Sequence, residues 1–178
     1  MRETEQLLEQ VATHARASRA AHDGPLPGVL GPGDLDRAEA ILGFPLPPLL
    51  AGLHTRVADG GFGPGYGLLP LLDGPYAAVA AYRDMRRSGW RWPEGVLPVL
   101  DWGCGMYACV DCRSPDAQVL LFEPNLGDPE VAWFVDAPSL AQWLRGWLDG
   151  TAWYCEDGDA GEAEDLDPLP WERIRTRA

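Results

Sequence analysis

The stretch Ala38-Glu-Ala-Ile-Leu-Gly-Phe-Pro-Leu-Pro-Pro-Leu-Leu-Ala-Gly-Leu-His-Thr-Arg-Val-Ala-Asp-Gly-Gly61 decides the fold. Leu35, Ala38, Ile41 and Leu42 recur at i, i+3, i+6 and i+7, which predicts a short amphipathic helix with Asp34 as its N-cap. Gly43 is placed to end it, because glycine enters the left-handed C′ conformation without a Cβ clash. Phe44-Pro-Leu-Pro-Pro48 reads as a stiff corner, and Pro47-Pro48 suit a first helical turn, where a missing N–H costs nothing. A second helix is predicted to follow, with Leu49, Leu50, Leu53 and Val57 on one face and Asp59-Gly-Gly61 stopping it. His54 sits beside that face with no partner nearby in sequence, as a surface position would. Burying the four apolar side chains is worth roughly 1.5–3 kcal/mol each, so corner and helix together read as the nucleus of one core.

Toward the N-terminus, a helix is predicted from Arg2 to Ala21, with Leu7, Leu8, Val11, Ala12 and Ala15 as a narrow apolar stripe that packs on the core. His22 to Gly33 is rich in Gly and Pro and reads as a linker. Toward the C-terminus, Phe62-Gly-Pro-Gly-Tyr-Gly67 carries Gly at every second position. A dinucleotide loop follows a strand and opens a helix, whereas here a helix precedes and Leu68-Leu-Pro-Leu-Leu72 follows, so the run reads as a backbone turn. Phe62 and Tyr66 on it are candidate partner contacts. Pro75 to Arg87 is predicted helical, with Tyr76, Val79, Ala80 and Arg83 on its face. Strands are predicted at Gly95–Asp101, Met106–Cys112, Gln118–Glu123 and Val131–Val135, separated by turn residues at hairpin spacing. Ser139 starts a further helix, with Gln142 completing a capping box, Leu140, Trp143, Leu144, Trp147 and Leu148 on one face, and Gly150 past the end. Helices on both sides of a run of strands imply an α+β fold. The expected architecture is a central antiparallel β-sheet of about four to six strands with flanking helices, an N-terminal helix and an acidic C-terminal tail.

The composition narrows the function classes. With 178 residues, 46% of them hydrophobic and eight of them Trp, the chain has the means to build a real core. No apolar run approaches the ~20 residues of a membrane span, and the opening Met1-Arg-Glu-Thr-Glu-Gln is unlike a signal peptide, so a cytoplasmic protein is expected. All fourteen basic residues are Arg, and the net charge is −13, the wrong sign for direct nucleic-acid binding. Glu156 to Asp167 holds seven carboxylates and no base, which reads as a solvated tail, with Trp171 able to pin the end back. It is not a calcium loop: counted from Asp157 and Asp159, Glu162 stands where Gly is required.

Cys104-x4-Cys109-x2-Cys112, with Cys155 further on, coincides with a plant-type iron–sulfur spacing. Met106–Cys112 nevertheless has strand composition. A strand turns Cys109 to one face with Tyr107 and Asp111, and Cys112 to the other with Ala108 and Val110, so the sulfurs do not converge. Reduced thiols are expected, with no metal and no cofactor. His14, His22 and His54 lack sequence-local partners, and no catalytic signature is present. Asp101, Asp111 and Glu123, on or at the ends of neighbouring predicted strands, are candidate contacts on a folded acidic face. Glu156, Asp157 and Asp159 are candidates in the tail.

The motifs "AEAILGFPLPPLL" and "ADGGFGPGYGLLPL" resemble the SUKH superfamily, the family of yeast cell-wall-synthesis regulators and bacterial immunity proteins. The pattern is a helix bearing Glu39, then Leu42-Gly43, Leu46-Pro47, a second helix, and Gly60-Gly61 leading into the first strand. "LPVLDWGCGMYACVDC" and "SLAQWLRGWLDG" resemble its later strands and closing helix. These motifs carry a fold and no catalysis. The resemblance implies a SUKH-like domain over residues 31–150, between an N-terminal helix and linker (1–30) and the acidic tail (151–178). It implies a non-enzymatic protein-binding function, that of an immunity protein neutralising a nuclease or deaminase toxin with a basic surface. An intracellular regulator or scaffold is the alternative, and a metal or iron–sulfur protein the third reading.

Overall fold

A computed structural model of the chain describes residues 2–22, 24–152, 169–172 and 174. Helix α1 (Arg2–His22) buries the expected stripe of Leu7, Leu8, Val11, Ala12 and Ala15. Helix α2 (Pro32–Leu42) begins earlier than its periodicity suggested: Gly31 holds the N-cap position and Pro32 the first turn. Asp34 is therefore not the cap, and lies within the first turn, where its charge meets the positive end of the helix. Ala38 and Leu42 turn inward, but Ile41 is 44% exposed. At about 100° per residue, i+6 falls well off the face defined by i and i+7.

The corner after α2 follows the sequence closely. Gly43 adopts φ 81° and returns its N–H to the Glu39 carbonyl at 2.8 Å. The Glu39 carboxylate accepts the Leu46 N–H at 2.8 Å, so one residue secures both ends of the turn. Helix α3 (Pro48–Gly52) has Pro47 as N-cap and Pro48 in its first turn. It continues as a π-helical turn, Leu53–Val57, closed by Ala58 N–H to the Leu53 carbonyl at 3.1 Å. Leu50, Leu53 and Val57 are buried. His54 is buried too, at 2% exposure, which corrects its reading as a surface residue. The i→i+5 bonding of a π turn changes the angle between successive side chains, so adjacent Leu53 and His54 are both enclosed. At Gly52 a Cβ would stand 2.8 Å from Leu8 Cδ1, and the missing side chain lets α1 lie close against α3.

Helix α4 (Ala78–Arg87) starts after Tyr76, which is 75% exposed rather than on the packed face, and Tyr82 joins Val79 in the core. Four antiparallel strands follow in chain order: β1 (Val96–Gly103), β2 (Met106–Asp111), β3 (Val119–Phe122) and β4 (Trp133–Ala137). They agree with the four expected strands to within about two residues at each end. The β1–β2 hairpin turns on Cys104-Gly105, at φ 52° and 79°, the two left-handed residues that a type I′ turn requires. The outer edge of β1 is partly covered by the Leu68–Leu100 bridge and by Leu69 N–H to the Val99 carbonyl at 2.8 Å. Helix α5 (Leu140–Asp149) is capped by Ser139 Oγ, which accepts the Gln142 N–H at 3.2 Å, and ends at Gly150 with φ 69°.

Tyr107, Phe122 and Trp133 are cross-strand neighbours on β2, β3 and β4. The Trp92 ring meets Phe122 at 4.9 Å and Trp133 at 4.7 Å between centroids, which makes this aromatic cluster the centre of the core. The chain end returns to it. Strand β5 (Leu169–Pro170) pairs with β4, the Trp171 N–H donates to the Trp133 carbonyl at 2.9 Å, and the Trp171 ring is 3% exposed. Trp171 thus pins the end back, and a fifth strand that the sequence reading did not include joins the sheet. The run Glu156–Asp167, between α5 and β5, lies outside the described residues.

Leu53→Ala is expected to cost about 2–5 kcal/mol as a cavity mutation, and Trp171→Ala about 3–5 kcal/mol. His54→Ala is expected to cost about 2–4 kcal/mol, because it removes a buried, hydrogen-bonded ring. Urea melts of the three variants check this, and a His54 variant within a few tenths of wild type would refute the burial of that ring.

Candidate functional site

Asp59, just past the π turn, ties together three parts of the chain. Its Oδ1 lies 2.8 Å from His54 Nδ1 and accepts the Leu71 N–H at 2.9 Å. The Asp59 N–H donates to the Gly28 carbonyl at 2.9 Å, and the Leu30 N–H donates to the His54 carbonyl at 2.8 Å. Residues 28–30, read from sequence as linker, are thereby fixed against the end of the π turn. Gly60 follows at φ 83°, where a Cβ would stand 2.7 Å from the Leu68 carbonyl oxygen, so only glycine lets the 68–70 backbone come so close. Burial pushes the Asp59 carboxyl up, but the hydrogen bonds from His54 and Leu71 and the attraction of the His54 ring outweigh it. The net shift is downward.

These fixed segments wall an open cleft of about 660 Å³. Asp34, Asp59, Asp73 and Asp101 line it, together with Leu68, Leu69 and glycine- and proline-rich backbone. Tyr66 and Val29 stand on it at 73% and 54% exposure. A second recess of about 120 Å³ adjoins it and shares Leu69 and Asp101. Tyr76, Tyr107, Asp84 and Met85 line that one. Among the described residues no Arg or His lines either recess. Asp34 pairs with Arg37 at 3.3 Å and Asp84 with Arg87 at 3.8 Å, both solvent-exposed pairs of small energetic weight. Asp101 accepts the Gly103 N–H at 2.7 Å. The Tyr107 hydroxyl is pushed up by its burial and then by the charges of Asp101, Cys109 and Asp84, which marks a negative local potential. Such a surface is chemically suited to cations and hydrogen-bond donors. Its one histidine neighbour is already committed to Asp59.

The residues singled out from sequence are dispersed. Tyr66 and Asp101 meet at the cleft. Phe62 is buried, its turn closed by Leu68 N–H to the Phe62 carbonyl at 2.7 Å, so its ring offers no surface to a partner. Asp111 is fully buried and accepts the Arg113 N–H at 3.1 Å. It lies opposite Val96, four residues along β2 from Tyr107, which faces Asp101, a separation of about 13 Å. Glu123 caps the short 3-10 turn Pro124–Leu126 by accepting the Asn125 N–H at 2.8 Å. Asp101, Asp111 and Glu123 therefore do not form one acidic face. Glu156, Asp157 and Asp159 lie outside the described residues. Sequence reasoning missed Asp34, Asp59, Asp73 and Asp84. The His54-x4-Asp59 spacing at a helix end was the one local signal available, and nothing local draws Asp34 or Asp73 toward Asp101.

Cys109 is buried, Cys104 exposed at the hairpin tip and Cys112 half-buried. Burial, with the charges of Asp136 and Cys112, pushes the Cys109 thiol well up, away from the thiolate that metal ligation requires. Cys155 lies outside the described residues. Among the described residues no three His, Cys, Asp or Glu side chains are grouped to hold a metal ion.

Comparison with protein families matches residues 30–146 to the SMI1 / KNR4 family (SUKH-1). The chain belongs to that family. No curated protein matches it significantly. The matched region spans α2 to most of α5 and includes every carboxylate of the two recesses, whereas α1, the acidic run and β5 fall outside it. SUKH proteins are interaction or immunity-type domains that act through protein–protein contacts, and they are generally non-enzymatic. Glu39, in the family pattern, has a structural task here as the acceptor for Leu46. Among the described residues no helix is long and apolar enough to cross a membrane.

Asp59 ionises below its ordinary value of 3.8, so its stabilising contribution is complete above that pH and is lost as pH falls through the lower folded value. Asp59→Asn is expected to cost about 1.5–3 kcal/mol at neutral pH. Urea melts of both proteins, stepped from about pH 6 down to about pH 2.5, are expected to converge. A difference that stays constant over that range would rule out the charge as its source.

Proposed function

We propose that this SUKH-family chain is a non-enzymatic immunity-type protein of the bacterial cytoplasm, which neutralises a cognate nuclease or deaminase toxin by covering a basic surface. The observation that supports the reading is the cleft carrying Asp34, Asp59, Asp73 and Asp101 with no Arg or His in its lining. A toxin that acts on nucleic acid carries positive charge where its substrate lies. An acidic cleft on a chain of net charge −13 attracts that surface over a distance, speeds the encounter and denies it to substrate. The folded cleft is favoured over the acidic run Glu156–Asp167 as the contact, because its four carboxylates lie within the region matched to the SUKH family and the acidic run does not. An intracellular regulator or scaffold is the second reading, supported by the same protein-binding family.

The test is capture of the neighbouring gene's product by the full chain. Removing everything after Trp153 is a poor way to probe the acidic run, since it also removes Trp171 from its packing on Trp133. Converting the seven carboxylates of Glu156–Asp167 to Asn and Gln keeps that anchor. This variant is expected to capture the toxin as the wild type does. Screening acts over about 8 Å at 0.15 M salt, so the association rate should fall as salt rises while dissociation changes little. Loss of capture in the neutralised variant would move recognition to the acidic run, and no capture by the wild type would favour the regulator reading.

A further inference from the structure

We propose that the two recesses form one bipartite groove for a protruding, arginine-bearing segment of a protein partner, with Tyr66 and Tyr76 as stacking surfaces for guanidinium groups. This rests on the protein-binding reading above and specifies the chemistry of its partner. The recesses lie side by side, with Leu69 and Asp101 in the lining of both. The larger is of a size that accepts several side chains, and the smaller is suited to one. Tyr66 stands on the first at 73% exposure and Tyr76 on the second at 75%. Exposed tyrosines beside a groove are the residues that most often anchor a protein interface.

The occupant follows from charge and shape. Asp59 and Asp73 serve the first recess, Asp84 the second, and Asp101 stands between them. No Arg or His lines either recess among the described residues, and of the lining carboxylates Asp34 and Asp84 form solvent-exposed pairs with Arg37 and Arg87, so an incoming cation meets a lining whose charged groups are carboxylates. Leu68, Leu69, Pro70 and Met85 supply apolar wall for the methylene stem of a long side chain. A guanidinium satisfies such a place better than an ammonium, because its planar fork bonds a carboxylate in two places while its face lies on a tyrosine ring. A bare metal ion would need three or more converging ligands, and among the described residues no such group occurs.

The test uses the full chain and synthetic peptides. Acetylated, amidated glycine peptides carrying two arginines at spacings from one to four residues are titrated into 15N-labelled protein, beside matched lysine and citrulline peptides and free spermidine. Arginine peptides are expected to shift the amides of Gly28, Leu69 and Asp101, to bind more tightly than lysine peptides or spermidine, and to lose binding when replaced by citrulline. Tyr66→Ala and Tyr76→Ala, at exposed sites where folding is untouched, are each expected to weaken arginine-peptide binding about tenfold. Asp73→Asn with Asp101→Asn should weaken all the cationic probes together. Shifts absent from the groove, or arginine binding no tighter than lysine and unaffected at both tyrosines, would overturn the proposal. The two readings fail separately. Capture of the toxin that is unchanged in Tyr66→Ala and Tyr76→Ala overturns the groove and leaves the immunity function standing. Arginine-specific binding at the groove without toxin capture does the reverse.

Discussion

The carboxylate of Asp59 is the constraint on which the site depends. It receives His54 from within a π turn and Leu71 from the segment before α4, while the Asp59 backbone holds Gly28. The His54 ring and the Leu71 N–H, both buried, would otherwise be enclosed without this partner, at about 1–3 kcal/mol apiece. The pairing also explains why a histidine occupies an almost fully buried position in an otherwise apolar helix. Its ring fills core volume on one side and supplies a polar nitrogen on the other. The π turn is what makes both possible, since it turns His54 inward without expelling Leu53.

From that hub the cleft follows as a consequence of chain geometry. The 28–30 and 68–70 segments are held against the end of the π turn by backbone hydrogen bonds, with Gly60 permitting the close approach. Their side chains and those of Asp73 and Asp101 face a common space in which no base opposes them. One of the four carboxylates, Asp59, is structural, and its hydrogen bonds from His54 and Leu71 favour its charged form at the cleft wall. Of the others, Asp34 shares its charge with Arg37 in a solvent-exposed pair, Asp101 accepts the Gly103 N–H, and Asp73 is exposed. Building a binding surface on a rigid support reduces the entropy lost when a partner docks.

The sheet is organised separately. The Tyr107–Phe122–Trp133 row, with Trp92 across it and Trp171 at its end, provides large apolar area at the centre of the strands. The C-terminal segment is part of this assembly, although it lies beyond the region matched to the SUKH family. The charge of the acidic run and the integrity of the core, to which Trp171 contributes, are distinct properties of the chain.

Local chemistry alone determined a good deal. Glycine at 43 and 150, prolines at 47 and 48, Ser139 before an amphipathic run, and strands broken by turn residues each act within a few positions of themselves. The elements they specify were legible for that reason, as was the α+β class, and the residues of the Glu39–Pro47 corner carried the family. The π turn was not legible, because it reflects what His54 finds five residues on and what Leu71 adds from farther away. Nor was the return of Trp171, which is one ring packed across a long sequence separation. The cleft was the least legible of all. Their places on or at the ends of neighbouring predicted strands suggested that Asp101, Asp111 and Glu123 share a face, but antiparallel register sets Asp111 at the far end of β2, and Glu123 caps its own turn. Asp34, Asp59, Asp73 and Asp101 come from separate segments, and it is tertiary hydrogen bonding between those segments, the Asp59 carboxylate to Leu71 included, that helps bring their charges to one place.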